Sequence, residues 1–268
     1  MADLAVAKVA GAGNDAPKDD GPKDDGPKDD GPKDDVAFGD ERTGGGHPAP
    51  SPAAARYLEA IYYLSHEGQE VRPGRLAEWM GVSAPTVSVG LQRLVRDGLV
   101  TVGPGRTVAF TEEGERAATA VVRRHRVVEC WLTEELGFDW VTADAEAERV
   151  AHSLSDVVLQ RLYEKLGQPA TCPHGNQIPG ALQDRRDLVS LVALRPGAPA
   201  RVARISELAE HDSPQVLGLL DSEGVVPGAR LAVEGGTGDP GVVVVSVDGR
   251  QVALSRSTAA AVWVETSA

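Results

Sequence analysis

"SAPTVSVGLQRLVRDGLVTVGPGRTVAFT", residues 83–111, is the stretch on which the fold turns. Ser83 suits a helix N-cap, Pro85 the first helical turn, and Gly98 the stop. Between them Val87, Leu91 and Leu94 recur at helical spacing and make one apolar side. From Leu99 onward the pattern alternates around a Gly-Pro-Gly turn, which predicts a β-hairpin. Working outward, "RPGRLAEWMG" (72–81) reads as a short helix ending at Gly81. "SPAAARYLEAIYYLSHEG" (51–68) reads as a longer one, with Ser51 as cap and an apolar face of Leu58, Ile61, Tyr62 and Leu64. Three helices followed by a hairpin predict a winged helix-turn-helix, with the "APTVSVGLQRL" helix as its reading element and "GPGR" as the wing tip.

Such a helix needs small polar groups near its N-terminus for phosphates and base edges. Ser83, Pro85, Thr86 and Ser88 stand there, and Gln92, Arg93 and Arg96 follow within reach of a backbone or groove. Arg75 and Arg106 complete the candidate DNA-contacting set. The competing reading is a helical hairpin that merely packs. Charge favours DNA: residues 53–126 hold 10 arginines against 8 acids, while the whole chain carries a net −13. Residues 1–50 hold 12 acids against 6 bases, so acidic flanks should limit non-specific binding.

The 268 residues suffice for one large or several small domains. No apolar run is long enough to span a bilayer, and the N-terminus lacks the pattern of a secretory signal. Cys130 and Cys172 are the only cysteines and form no CxxC pair; a reducing cytoplasm fits best. "PKDDGPKDDGPKDDGPKDD" (17–35) cannot bury apolar surface, so 1–51 is expected to be a disordered acidic tail. A winged-helix domain is expected over 52–117, a helical region over 118–180, a linker over 181–187 and a β-rich domain over 188–268. That last region has short Val/Leu-rich strands at 188–194, 200–205, 230–234, 241–247, 251–255 and 262–266, a spacing that suggests a small barrel, with one helix near 213–222. The fold class is thus mainly α with a β-rich C-terminal part.

Metal chemistry enters through spacing. His125 and Glu129 lie four apart on a helix of about 112–136, and Glu148 and His152 lie four apart on one of about 145–166, capped by Asp144. One His/Glu pair is more often a solvated stripe; two pairs on helices that can pack together suggest a divalent-cation site. Cys172 and His174 in "CPHGN" have no second pair, so His174 reads as part of a structural loop. Cys130 falls about 100° from Glu129 around the helix and reads as packing. No catalytic motif is recognisable, and a metalloenzyme would need an open coordination position beside a general base, so an enzyme is not expected.

"APTVSVGLQRLVRDGLV", "LTEELGF", "HSLSD" and "CPHGNQIPG", in this order and spacing, resemble the diphtheria toxin repressor/manganese transport regulator family. The resemblance runs from about residue 53 to the end. It implies a homodimeric, metal-activated transcriptional repressor with a winged helix, a helical metal-binding and dimerisation domain, and an SH3-like third domain. The expected partner is a palindromic DNA operator, and the expected targets are metal homeostasis genes. By resemblance an ancillary metal position takes His125, Glu129, Asp212 and Gln215, with Asp144 where some members have a histidine. A primary position takes Glu148, His152 and Glu59, but Arg56 stands where a methionine or aspartate is usual and Ala151 where a glutamate is usual. Two readings follow for Arg56: it reaches Glu148 or Glu59 and substitutes a salt bridge for metal, or it points to solvent and the site is merely weaker. The first would permit a DNA-binding regulator that needs no metal. Arg126, Cys172 and Asn176 match an anion-holding set beside the ancillary position. Oxygen and imidazole ligands favour Mn2+ or Fe2+, with Zn2+ or Co2+ able to bind in vitro. The third domain has one aromatic, Trp263, too few for a polyproline groove.

Overall fold

The computed structural model describes residues 50–181, 187–234 and 239–266, with the backbone alone at Asp212 and Pro214. All but the last two residues of the expected acidic tail therefore lie outside the described residues. Helix α1 (Pro52–His66) starts at Ser51, whose side chain accepts from the Ala54 N–H at 3.3 Å. Helix α2 (Pro73–Met80) stops at Gly81 with φ +62°, and α3 (Ala84–Arg96) starts at Ser83, which accepts from the Thr86 N–H. Strands β1 (Val100–Val102) and β2 (Val108–Phe110) pair antiparallel with Val100 opposite Phe110 and Val102 opposite Val108. These parts form the winged helix-turn-helix around a core of Leu58, Ile61, Leu64, Leu76, Val87, Leu91 and Leu94. α1 crosses α3 so closely that a Cβ at Gly90 would fall 2.3 Å from the Tyr57 ring, and the Tyr57 hydroxyl donates to the Thr86 carbonyl.

Helix α4 (Glu112–Glu134), capped by Thr111, carries the chain out of the winged helix and into the second region. The single helix expected over 145–166 is two. α5 (Trp140–Val150) is capped by Asp139, not Asp144, and Asp144 lies within it. A 3-10 turn (Ala151–Ser153) follows, Leu154 is extended, and Ser155 caps a new helix α6 (Asp156–Lys165). The break has a local cause: the Ser155 hydroxyl takes the Val158 N–H, so the chain restarts a helix where a continuous one would need Ser155 inside it. Val127, Val128, Leu132, Ala147, Ala151, Leu159 and Ile178 form this region's core.

The third region is a six-stranded antiparallel SH3-like sheet in the order β3-β8-β4-β5-β6-β7. Its strands are β3 (Leu188–Ser190), β4 (Pro199–Ile205), β5 (Arg230–Val233), β6 (Val242–Val247), β7 (Arg250–Ser255) and β8 (Val262–Thr266). Helices α7 (Glu207–Asp212), α8 (Pro214–Ser222) and α9 (Arg256–Ala261) connect them. The "CPHGN" loop joins this sheet to the helical region. Ile205 N–H donates to the His174 carbonyl at 2.8 Å, and Gly175, at φ +84°, passes so near β4 that a Cβ would meet the Ala203 carbonyl at 2.1 Å. Only glycine satisfies both the left-handed backbone and that approach.

Candidate metal centre and DNA-binding surface

His125 and Glu129 sit one turn apart on the buried side of α4. Because α1, α5, the 171–177 loop and α7 all pack around that side, donors from five elements converge. His125 Nδ1 lies 3.3 Å from Glu59 Oε1 of α1, and its Nε2 lies 3.2 Å from Asp144 Oδ1 and 3.6 Å from Glu129 Oε1. His174 Nδ1 lies 3.4 Å from Glu129 Oε1 and 3.5 Å from Glu210 Oε2 of α7. The Asn176 amide donates to Glu210 Oε1 at 3.1 Å, fixing that carboxylate. Trp140 stands edge-on to the His174 ring, with centroids 4.9 Å apart.

Donor atoms of Glu129, Cys172 and His174 lie within 4.8 Å of one another, as do those of His125, Glu129 and Asp144. Glu129 is common to both groups. His174 is 1 % exposed, and neither ring nitrogen makes a hydrogen bond, which is costly for a buried imidazole. A divalent cation would complete those nitrogens and balance the carboxylates around them, so the donor set fits a metal.

Electrostatics agree with that fit. Burial alone would depress His125, but Glu59 and Glu129 outweigh it and hold the imidazole well above its ordinary range. His174 is likewise held well up, with Glu210 and Glu129 overcoming burial. Burial would raise Asp144, yet the hydrogen bond and charge of His125 keep it below the usual carboxylate range. Burial and then Glu129 push the Cys172 thiol up to about 11, so it is a thiol at neutral pH unless a cation takes its proton's place.

Not every expected residue joins. Gln215 is exposed on α8, and the Asp212 side chain lies outside the described residues. The carboxylates that α7 sends inward are Glu207 and Glu210, two residues that sequence reasoning missed. Their spacing of three on a short helix was the available signal. His174, read as a loop residue, is at the heart of the cluster. Of the anion-holding trio, buried Arg126 pairs with Glu207 at 2.5 Å while its Nε has no hydrogen-bond partner, Asn176 donates to Glu210 and the Ile205 carbonyl, and Cys172 faces Glu129 and His174.

The residues expected at the primary position do not assemble either. Glu148 lies near the end of α5 and His152 in the 3-10 turn that follows it, and both are exposed. Ala151 is 2 % exposed in the core. Arg56 Nε lies 3.3 Å from Glu148 Oε1, with both side chains about half exposed (50 % and 51 %). Behind this pair is a cavity of about 90 Å³ touched by Glu59, His125, Asp144 and His211. A fixed guanidinium and a missing carboxylate do not fit a second cation.

The candidate DNA surface is open. Ser83, Pro85, Thr86, Arg93 and Arg106 are exposed and Ser88 is half-buried on α3 or the wing, where Arg106 takes φ +64°. Arg75 is more enclosed, donating to Gln69 Oε1 at 3.2 Å and lying over the Trp79 ring. The third region also grips the winged helix. The His211 ring stacks on Trp79 (3.7 Å, 4°) with Nε2 2.5 Å from the Trp79 carbonyl, and Arg204 pairs with Glu67.

A winged helix-turn-helix joined to a buried cluster of imidazole, carboxylate and thiol donors defines a metal-responsive DNA-binding regulator. Family models match in chain order: "iron dependent repressor, N-terminal DNA binding domain" over 51–108, "iron dependent repressor, metal binding and dimerisation domain" over 111–180, and "FeoA domain" over 189–266. The iron-dependent repressor IdeR of Mycobacterium tuberculosis is 38 % identical over 220 residues, covering 78 % of this chain and 95 % of that protein. The diphtheria toxin repressor of Corynebacterium glutamicum is 37 % identical over 218 residues, covering 78 % and 94 %. A solved structure described as a manganese-dependent transcriptional repressor in complex with manganese superimposes with a TM-score of 0.70 at 36 % identity, covering 80 % of this chain and all of that one.

The chain belongs to the iron-dependent repressor family, whose members are metal-dependent transcriptional repressors and not enzymes. Its DNA-binding and dimerisation domains indicate a DNA operator and a homodimer as partners. Among the described residues no helix is long and apolar enough to cross a membrane.

Proposed function

We propose that this protein is a cytoplasmic repressor of metal homeostasis genes, activated by Mn2+ or Fe2+, that binds a pseudo-palindromic operator as a homodimer. We divide it into a tail (1–51), a DNA-binding domain (52–117), a metal-binding and dimerisation domain (118–180), a linker (181–187) and an SH3-like regulatory domain (188–268). The observation that carries the reading is His174, buried without a hydrogen bond among Glu129, Glu210 and Cys172. Glu129, Cys172, His174 and Glu210 would hold the ion, and His125, which shares Glu129 with them, would be its second imidazole ligand, with Asp144 beside it. A divalent ion there supplies positive charge that neutralises mutually repelling carboxylates.

The chain's own residues do the rest. Glu210 draws α7 toward α4, Glu207 ties α7 to Arg126, and His211 and Arg204 hold the same region against α2 and α1 of the DNA-binding domain. The two α3 helices of a dimer would then present Ser83, Pro85, Thr86, Ser88, Arg93 and Arg106 to successive major grooves, with Arg75 alongside. Selecting bound duplexes from a random pool tests the function. A palindromic sequence should be enriched with Mn2+ or Fe2+ and lost with a chelator. Equal enrichment in both would mean a regulator that needs no metal.

A further inference from the structure

Helix α1 belongs to the DNA-binding domain, yet Arg56, Glu59 and Tyr63, spaced three and four apart, turn toward α4 and α5. We propose that this chain latches α1 to its metal-binding helices with its own side chains in place of a second ion: Arg56 supplies the positive charge against Glu148, and Glu59 is a positioning residue that orients His125. The inference rests on the functional reading above, which places the ion at Glu129, Cys172, His174 and Glu210.

Arg56 fills the role of a cation by charge and shape. Its guanidinium cannot lose its proton and stands 3.3 Å from the Glu148 carboxylate, where a cation would otherwise be held. Of the donors expected beside Glu148, position 151 offers only a buried methyl group and His152 is exposed, while Glu59 and Asp144, which line the same small cavity, are already paired with His125.

Glu59 acts on the tautomer of His125. Its Oε1 accepts from the Tyr63 hydroxyl at 3.1 Å and faces His125 Nδ1 at 3.3 Å. Carboxylates face both ring nitrogens, but Glu129 and Asp144 on the Nε2 side belong to the metal cluster, so with an ion bound the proton stays at Nδ1 against Glu59 and Nε2 is the nitrogen left to ligate. This is the arrangement in which an outer carboxylate aims a ligating imidazole without touching the ion. Here that carboxylate comes from the DNA-binding domain, so orienting His125 and docking α1 are one event.

Counting Mn2+ per full-length chain after desalting, and recording the visible spectrum of the Co2+-loaded chain, tests both halves. Glu148→Gln and His152→Ala, both at exposed positions, should keep the wild-type count; loss of an ion in either would overturn the latch. Glu59→Gln should leave the Co2+ spectrum at saturation unchanged. Glu59→Ala should weaken Co2+ binding about 10- to 100-fold, with part of that recovered in the glutamine variant. A changed ligand-field spectrum in Glu59→Gln would make Glu59 a ligand and sink its positioning role. Arg56→Gln should keep the metal count while weakening operator binding at saturating Mn2+. A gain of one ion in that variant would show that Arg56 merely excludes metal. His174→Ala separates the two readings: retention of the full count there contradicts the proposed centre and not the latch.

Discussion

His125 and His174 set the pH behaviour of the protein, because each imidazole is held among carboxylates that favour its charged form. Their folded values are raised above the ordinary 6.5, so the folded chain binds protons more tightly than the unfolded one. The stability they contribute is fully present below about pH 6.5 and is lost as pH rises through the raised values. With metal chelated, the thermal midpoint should therefore fall between neutral and mildly alkaline pH. A metal must displace the same protons, so stabilisation by Mn2+ should grow over that range. Melting curves with chelator and with Mn2+, from pH 6 to 9, check both trends. A midpoint of the chelated chain that is flat or rises would contradict the assignment of these two histidines.

At the scale of elements, α7 is the part that connects metal to DNA. Within two turns it places Glu207 on Arg126, Glu210 near His174, Leu208 against the winged-helix core and His211 on Trp79. An aromatic stack of this kind contributes about 0.5–1.5 kcal/mol. His211→Ala should thus weaken operator binding of the metal-loaded chain severalfold and leave the bound-metal count unchanged. Binding isotherms at saturating Mn2+ measure it, and unchanged operator affinity would exclude α7 as the connection. Helices with caps and stops at both ends, such as α3, and the wing hairpin were legible in the sequence, since their signals are local. The split of 145–166 was missed because the apolar spacing runs across the break and one serine hydroxyl decides it. The roles of His174 and Glu210 could not be read locally at all. His174 has no second ligand nearby in sequence; its partners lie on α4 and α7 and meet it only through the approach of Gly175 to β4.

Across the whole molecule, three cores are joined by polar contacts: Glu59 with His125, Arg126 with Glu207, Arg204 with Glu67, and the Glu129, His174 and Glu210 group. Polar seams of this kind respond to a change of charge, whereas the apolar cores on either side do not, so the centre can bias how the DNA-binding domain is held. In a chain of net −13, exposed Arg93 of α3 and Arg106 of the wing are the cations best placed to meet a phosphate backbone. The most direct test is a Mn2+ titration of operator binding, followed by fluorescence anisotropy on a selected duplex, for the wild-type chain and for His174→Ala. The account predicts wild-type affinity about 5- to 150-fold tighter at saturating Mn2+ than with chelator, and loss of that gain in the variant. Equal wild-type affinity with Mn2+ and with chelator, or an undiminished gain in His174→Ala, would contradict it.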